Sequence, residues 1–235
     1  MGDLHDLRDL ASWSAAGLGA GFVLVNPLHA ADSIAPMQPS PYFPASRRFL
    51  NPIYLRVEDV PEVALLPPTV VGAAGAPLRA KNELDEPLDR DAVWAAKRGT
   101  LEVAFELRRD PGRQVAFANF VDEQGEALTD FATWSALADI HGLPWCEWPE
   151  PFLDPRSREV ADFRAAQRDL VDFHCWLQWL CAEQLDGVQR AARVAGMSIG
   201  VLHDLAVGVD PAGADAWAWR HVLATGVTLG APADM

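Results

Sequence analysis

The sequence is poor in cysteine, in basic charge and in unbroken apolar runs, and each shortage removes a class of protein. Three cysteines, Cys146, Cys175 and Cys181, cannot all pair, so no disulfide framework carries the fold and a reducing compartment suits the chain. Lysine and arginine total 19 against 33 aspartate and glutamate, and the net charge of −14 argues against nucleic acid or an anionic membrane as a partner. The most apolar stretch, Ala15 to Ala31, is broken by Gly17, Gly19, Gly21, Asn26 and Pro27, too short and too interrupted to span a bilayer. The opening MGDLHDLRDL is acidic where an export signal is basic and then apolar, and Asp6 stands where a myristoylation signal needs Ser or Thr. A soluble, cytoplasmic protein is the expectation. There is no GxGxxG, GxxxxGK[ST], GxSxG or HExxH, so dinucleotide, P-loop, serine-hydrolase and zincin readings lack support. No metal site is expected either, because His174, Cys175 and Cys181 share a predicted helix at spacings that put no two ligands side by side.

What is present is ordinary globular material: 235 residues, 50% hydrophobic and 22% charged, enough for one domain of fair size or two small ones. Leu4, Leu7, Leu10, Ala11 and Ser14 recur at helical spacing, and Gly17 is placed to stop a helix over 3–16. The run Gly21 to Asn26 is apolar on both faces, as in a strand buried inside a parallel sheet, and it ends at Asn26-Pro27. Residues 27–69 break all periodicity and read as a long ordered loop, a length that more often carries function than connects elements. Residues 70–89 are weakly patterned. Helices are predicted over 91–108, interrupted near Gly99, over 128–140 with closure at His141-Gly142, and over 157–195 with Gly196 as terminator. Met197 to Val207 then gives a second buried strand whose polar residues come late. Twice, a helix feeds a strand ending in polar groups, the unit of parallel α/β folds.

In such folds chemistry gathers where strands end, which singles out Asn26, His29, His203 and Asp204. Asp204 could equally cap the turn that follows it, and His203 points to the other side of its strand. Trp176 and Trp179 lie among apolar helix neighbours and read as core, whereas Trp145, Trp148, Trp217 and Trp219 fall in loops and read as open. Rings beside carboxylates and amides suit a ligand with apolar faces and hydroxyl edges, such as a sugar chain.

Several blocks then resemble one family. Val25-Asn-Pro-Leu-His29, Pro39-Ser-Pro-Tyr-Phe-Pro-Ala-Ser-Arg-Arg-Phe-Leu-Asn-Pro-Ile-Tyr54, Trp148-Pro149, Phe173 to Trp179 and Ile199 to Asp210 with Gly213 to Trp217 are similar to the amylomaltases, the 4-alpha-glucanotransferases of the alpha-amylase clan. The blocks come in order and cover most of the chain. The resemblance implies a (β/α)8 barrel, an α/β fold, of which this chain would carry about the second and third strands. It divides the chain into a barrel helix and strand (1–30), a large helical and irregular insertion with the substrate loop (31–196), and a barrel strand with the loop and helix after it (197–235). It implies a transferase of carbohydrate metabolism that moves a segment of an α-1,4-glucan to an acceptor sugar by retaining double displacement, with malto-oligosaccharides as partners and no cofactor. Tyr42 would stack on the donor sugar, Asp204 would contact its hydroxyls, and Asn51 and His29 would shape the same cleft.

A retaining mechanism needs two carboxyl groups roughly 5 Å apart. In the family these lie on the fourth and fifth strands, beyond the position matching Met235, so no catalytic residue is assigned here. The look-alikes are misplaced: Asp110 runs into Pro111 at a helix end, Glu183 is mid-helix, and Glu58-Asp59 falls in the irregular loop. The chain is therefore read as a fragment, inactive and prone to associate on its own. Rival readings are a non-catalytic glucan-binding or assembly module, which would bind without turnover, and a hydrolase of the same clan, which would make no longer products.

Overall fold

A computed structural model describes residues 2–32, 34–81 and 87–224. Helix α1 (Leu4–Leu18) starts at a reciprocal cap: the Asp3 carboxylate accepts the N–H groups of His5 and Asp6, and the Asp6 side chain accepts the N–H of Asp3. The helix runs through Gly17 and stops at Gly19, whose φ of 66° only glycine adopts without strain. Strand β1 (Phe22–Val25) follows.

The stretch 27–69 is ordered, as predicted, but it is not without elements. Strands β2 (His29–Ala30) and β3 (Ser46–Leu50) pair antiparallel around a bulge, and three single-turn 3-10 helices follow at Pro52–Tyr54, Val57–Asp59 and Val63–Leu65. A two-residue strand and one-turn helices are too short to leave a period in the sequence. Helix α2 (Pro68–Lys81) occupies much of the weakly patterned segment, and residues 82–86 of that segment lie outside the described residues.

Helix α3 (Arg90–Phe105) continues through Gly99, where an interruption was predicted. One glycine costs about 1 kcal/mol of helix propensity, less than burial of Trp94, Leu101 and Ala104 on the same helix returns. Helix α4 (Pro111–His141) begins 17 residues before the predicted 128, with a bend at Gly125 (φ 61°). Its first half carries only a short apolar stripe, Phe117, Phe120 and Val121, which packs on the core but is flanked by polar residues at both ends. The predicted helix over 157–195 is two, α5 (Arg158–Ala166) and α6 (Arg168–Val194), broken at Gln167 (φ −110°, ψ 35°). Strand β4 (Gly200–His203) is shorter than its apolar run, and α7 (Ala214–Ala218) closes the described chain.

β1 and β4 pair in parallel, Phe22 opposite Gly200 through Val25 opposite His203. One face of this pair is covered by α1 and α6, where Leu4, Ala11, Ala15, Val188, Ala192 and Val201 are buried. The other face is not covered: Phe22 is 48%, Leu24 61% and Leu202 46% exposed. The prediction of a strand buried on both faces is thus corrected for β1, because among the described residues no element lies over that side. The main core is elsewhere, between α3, α4 and the first half of α6, and buries Leu101, Trp134, Leu137, Trp176, Leu177 and Leu180. Trp148 and Trp217, predicted open, are also in it. The Trp217 indole N–H donates to the Phe152 carbonyl at 2.9 Å, which satisfies the polar end of a ring buried completely.

Helix α6 joins these regions through three glutamines. The Gln178 amide accepts from the Leu50 N–H and donates to the Leu50 carbonyl, both at 2.9 Å. Gln184 does the same to Arg56, both at 2.9 Å, and Gln189 accepts from Val201 N–H and donates to Ile199 O, again at 2.9 Å. Each amide supplies what a neighbouring strand would. Gln178 is 4% exposed, so Gln178→Leu strands two backbone groups of β3 and is expected to cost about 3 kcal/mol in denaturant unfolding.

Candidate functional site

The site forms where β1 and β4 end together. The Asp204 N–H donates to the Val25 carbonyl at 3.1 Å, carrying the parallel ladder one step past β4. Its two carboxylate oxygens then divide the roles that the sequence left open. Oδ1 accepts the Leu205 N–H at 2.8 Å and fixes the turn, while Oδ2 accepts the Tyr42 hydroxyl at 2.8 Å across 162 positions of sequence. The same hydroxyl lies 3.4 Å from Asn26 Oδ1 at the end of β1. The hydrogen bond to Asp204 pushes the Tyr42 hydroxyl pKa up, because ionisation would set a phenolate against a carboxylate. The ring itself is 49% exposed, a free aromatic face beside a carboxylate.

The loop after Asp204 is held from two sides. His29 Nε2 accepts the Ala206 N–H at 3.3 Å. Burial first, then the nearby Arg47 charge, lowers the His29 pKa and keeps the imidazole neutral, the state in which it can accept. Arg47 Nη1 donates to the Val207 carbonyl at 2.9 Å. The backbone of Arg47 in turn donates to Asp215 Oδ2 at 2.9 Å, and the Asp215 N–H donates to the Ala45 carbonyl at 3.0 Å, so α7 is sewn to β3. The contact is tight: a Cβ on Gly213 would sit 2.6 Å from the Ala45 backbone. Asn51, predicted in the same cleft, is 3% exposed, and its Oδ1 accepts the Ile53 N–H at 3.1 Å as the cap of a 3-10 turn. The structure therefore brings Tyr42 and Asp204 into contact and sets His29 against the loop after Asp204, whereas Asn51 is buried as a turn cap and, among the described residues, touches neither. His203 is exposed at the end of β4, and partial desolvation lowers its pKa.

The carboxylates that mimic a catalytic pair are engaged elsewhere. Asp110 caps α4 by accepting the Gly112 N–H at 2.8 Å, Glu183 pairs with Arg113 at 3.2 Å, and Asp59 with His5 at 2.6 Å. None stands at a strand end.

Asp32 was missed by the sequence reading, which had no local signal for it. Its Oδ1 is buried without a hydrogen-bond partner among the described residues, and burial, reinforced by the nearby Asp210 charge, pushes its pKa up to about 6. A raised carboxyl pKa means that stability is lost as pH rises from the ordinary 3.8 toward 6 and stays lost above. Asp32→Asn removes that charge and is expected to stabilise the protein by on the order of 2 kcal/mol at pH 7.5. The gain should vanish at pH 4, and equal melting shifts at both values would refute the assignment.

A parallel strand pair with a tyrosine hydroxyl seated on a carboxylate at its C-terminal end, beside a free ring face, defines an α/β protein with its polar groups gathered where the strands end. The sequence pattern described as 4-alpha-glucanotransferase matches residues 1–235, and the chain belongs to that family. It is 50% identical over 246 residues to a 4-alpha-glucanotransferase of Mycobacterium tuberculosis, with 100% of this chain and 33% of that protein covered. A 4-alpha-glucanotransferase of Haemophilus influenzae is 28% identical over 252 residues, with 100% of this chain and 36% of that protein covered. The chain thus spans about a third of the length of the curated relatives it matches. Among solved structures, the amylomaltase of Corynebacterium glutamicum superposes with a TM-score of 0.79 at 42% identity, covering 92% of this chain and 29% of that one. An amylomaltase of Streptococcus agalactiae, solved in complex with acarbose, shares the fold with a TM-score of 0.68 at 15% identity, covering 92% of this chain and 42% of that one. The fold class is accordingly mixed α/β, mostly helical with few strands. Among the described residues no helix is long and apolar enough to cross a membrane.

Proposed function

We propose that this chain positions the donor sugar in an enzyme that moves segments of α-1,4-glucans to acceptor sugars by retaining double displacement. The observation that carries the reading is the Tyr42 hydroxyl on Asp204 at 2.8 Å, which ties the exposed ring to the carboxylate at the end of the parallel strands. Held so, the ring offers its face to the C–H side of a glucosyl unit, and Asp204 with Asn26 offers acceptors to its hydroxyls. His29 fixes the loop after Asp204, and Asn51 caps the turn that follows β3. In this reading β1 and β4 are the second and third strands of a (β/α)8 barrel, residues 31–196 are its insertion, and malto-oligosaccharides in the cytoplasm are the substrates. A retaining reaction also needs a nucleophile and an acid/base about 5 Å apart. The engaged carboxylates named above do not supply them, so the 235 residues bind and orient and do not cleave unaided.

The test is incubation with maltotriose and resolution of products by length. Transfer gives glucose together with maltopentaose and longer chains from the protein at its natural length, and none from residues 1–235 alone. Glucose and maltose without longer products would replace transfer by hydrolysis, and saturable maltoheptaose binding with no turnover at natural length would leave a binding module.

A further inference from the structure

The loop between Asp204 and Asp210 has little apolar packing to hold it. Leu205 is 62% and Val207 75% exposed, and only the small Ala206 is buried. Its direction is therefore set by what its backbone groups meet. At the far end the Asp210 N–H donates to the Pro44 carbonyl at 2.8 Å. At the near end two side chains close on the Ala206–Val207 backbone from different strands. His29 of β2 accepts the Ala206 N–H, and Arg47 of β3 donates to the Val207 carbonyl at 2.9 Å and to the Ala206 carbonyl at 3.4 Å.

The bulge in β3 aims Arg47. His29 pairs with Leu50 and Ala30 with Ser46, so Arg47, Arg48 and Phe49 have no residue opposite them. Bulges of this kind re-aim side chains beside functional sites. Phe49, buried and stacked on Phe131 at 4.5 Å, pins the bulge to the core. Among the described residues the Arg47 side chain meets only carbonyls, so no carboxylate neutralises its charge by contact. That charge falls on His29. The other charged and titratable groups about the imidazole are Asp215 of α7 and His203 and Asp204 at the end of β4. Burial first and Arg47 second outweigh the two carboxylates and hold His29 neutral, the form that accepts a hydrogen bond.

We propose that Arg47 and His29 are positioning residues of the transfer reaction, a clamp on the Ala206–Val207 backbone that fixes the direction in which Asp204, and Tyr42 seated on it, meet the donor sugar. The proposal deepens the glucan-transfer reading above and rests on it. A proton on His29 turns its acceptor into a donor facing the Ala206 N–H, so that side of the clamp opens as pH falls. Without the Arg47 charge, His29 takes its proton at a higher pH.

The experiment is a pH series of transfer on maltotriose by the natural-length protein and its variants, read as kcat and KM, with near-ultraviolet circular dichroism to check folding. Arg47→Gln should lower kcat/KM about fivefold at neutral pH. It should also move the acid limb of the profile upward by about half a pH unit, the scale of one unit charge several ångströms away in water. Arg47→Lys keeps the charge and should leave the limb in place while recovering part of the rate. His29→Gln has a carboxamide that accepts without titrating, so it should keep most of the neutral rate, and adding Arg47→Gln to it should no longer shift the limb. A limb that stays put in Arg47→Gln, or one that shifts equally with His29→Gln present, overturns the clamp. Should Arg47→Gln fail to fold, His29→Gln alone decides: its limb must extend to lower pH than that of the wild type. Products longer than maltotriose judge the transfer reading separately. If only glucose and maltose appear, the same limbs are read on hydrolysis, and a wild type without turnover overturns both.

Discussion

Asp204→Ala is expected to lower glucan transfer by about 100-fold, the cost typical of losing a group that aligns substrate with the reacting centre. The substitution removes both the anchor of Tyr42 and the cap on Leu205, so two companions separate the causes. Asp204→Asn keeps an acceptor for the Leu205 N–H and removes the charge that holds the Tyr42 hydroxyl at 2.8 Å. It should fold like the wild type and still lose at least tenfold in kcat/KM, since bonds to charged groups are the stronger ones. Tyr42→Phe keeps the ring and loses only the hydroxyl, and should cost about tenfold, with Tyr42→Ala worse because the stacking face goes too. Steady-state kinetics of the natural-length protein on maltotriose give these values. Full activity in Asp204→Asn would reduce Asp204 to a turn cap and remove the main support for the site.

Asp139→Ala is expected to destabilise the protein by about 3–5 kcal/mol, as when one partner of a buried ion pair is deleted. Asp139 receives Arg98 through both oxygens, at 2.8 and 2.7 Å, and His174 Nε2 at 2.9 Å, so alanine leaves a largely buried guanidinium with only the half-exposed Glu102, at 2.7 Å, to balance it between α3, α4 and α6. The same cluster sets an acid limit. Burial pushes the Asp139 carboxyl up, but the hydrogen bonds from Arg98 and His174 outweigh it and hold the pKa at about 2, against an ordinary 3.8. A depressed carboxylate pKa contributes stability above 3.8 that is lost as pH falls toward 2. That contribution is about 2 kcal/mol. Urea unfolding at pH 7 and pH 2.5 measures both effects. Asp139→Ala should fall well below the wild type at pH 7 and approach it at the acid value, and a gap that does not narrow would sink the linkage.

How much of this was legible in the sequence depended on distance along the chain. Helix α1 was readable because its cap and its apolar stripe are local, and β4 because its apolar run sits next to the helix that covers it. The first half of α4 was not, since its stripe of Phe117, Phe120 and Val121 is short and set among polar residues and glycines, and neither were β2 and the 3-10 turns, which are shorter than any period. Asp204 was visible as the polar end of an apolar run, although β4 is buried only at Gly200 and Val201, and Tyr42 through the Ser-Pro-Tyr block. The hydrogen bond between them spans 162 positions and could be seen only in three dimensions. The same holds for Asp32, whose buried Oδ1 finds no hydrogen-bond partner among the described residues, and for Gln178, which meets Leu50 from 128 positions away.

The glutamine clips of α6 have a consequence for how the chain can vary. A carboxamide presents one acceptor and one donor on a single carbon, so it works as a keyed connector: it mates only with a backbone segment that offers an N–H and a C=O on the same side. Leu50, Arg56 and the Ile199 to Val201 segment all meet that condition. Glutamate at any of the three positions keeps the socket and loses the pin, turning a donor toward a carbonyl into a repelling oxygen. Adding or removing one residue in β3 would present the wrong side of the strand to Gln178. The long helix therefore acts as a ruler with marked stations, and insertions should be tolerated between the stations and rejected at them.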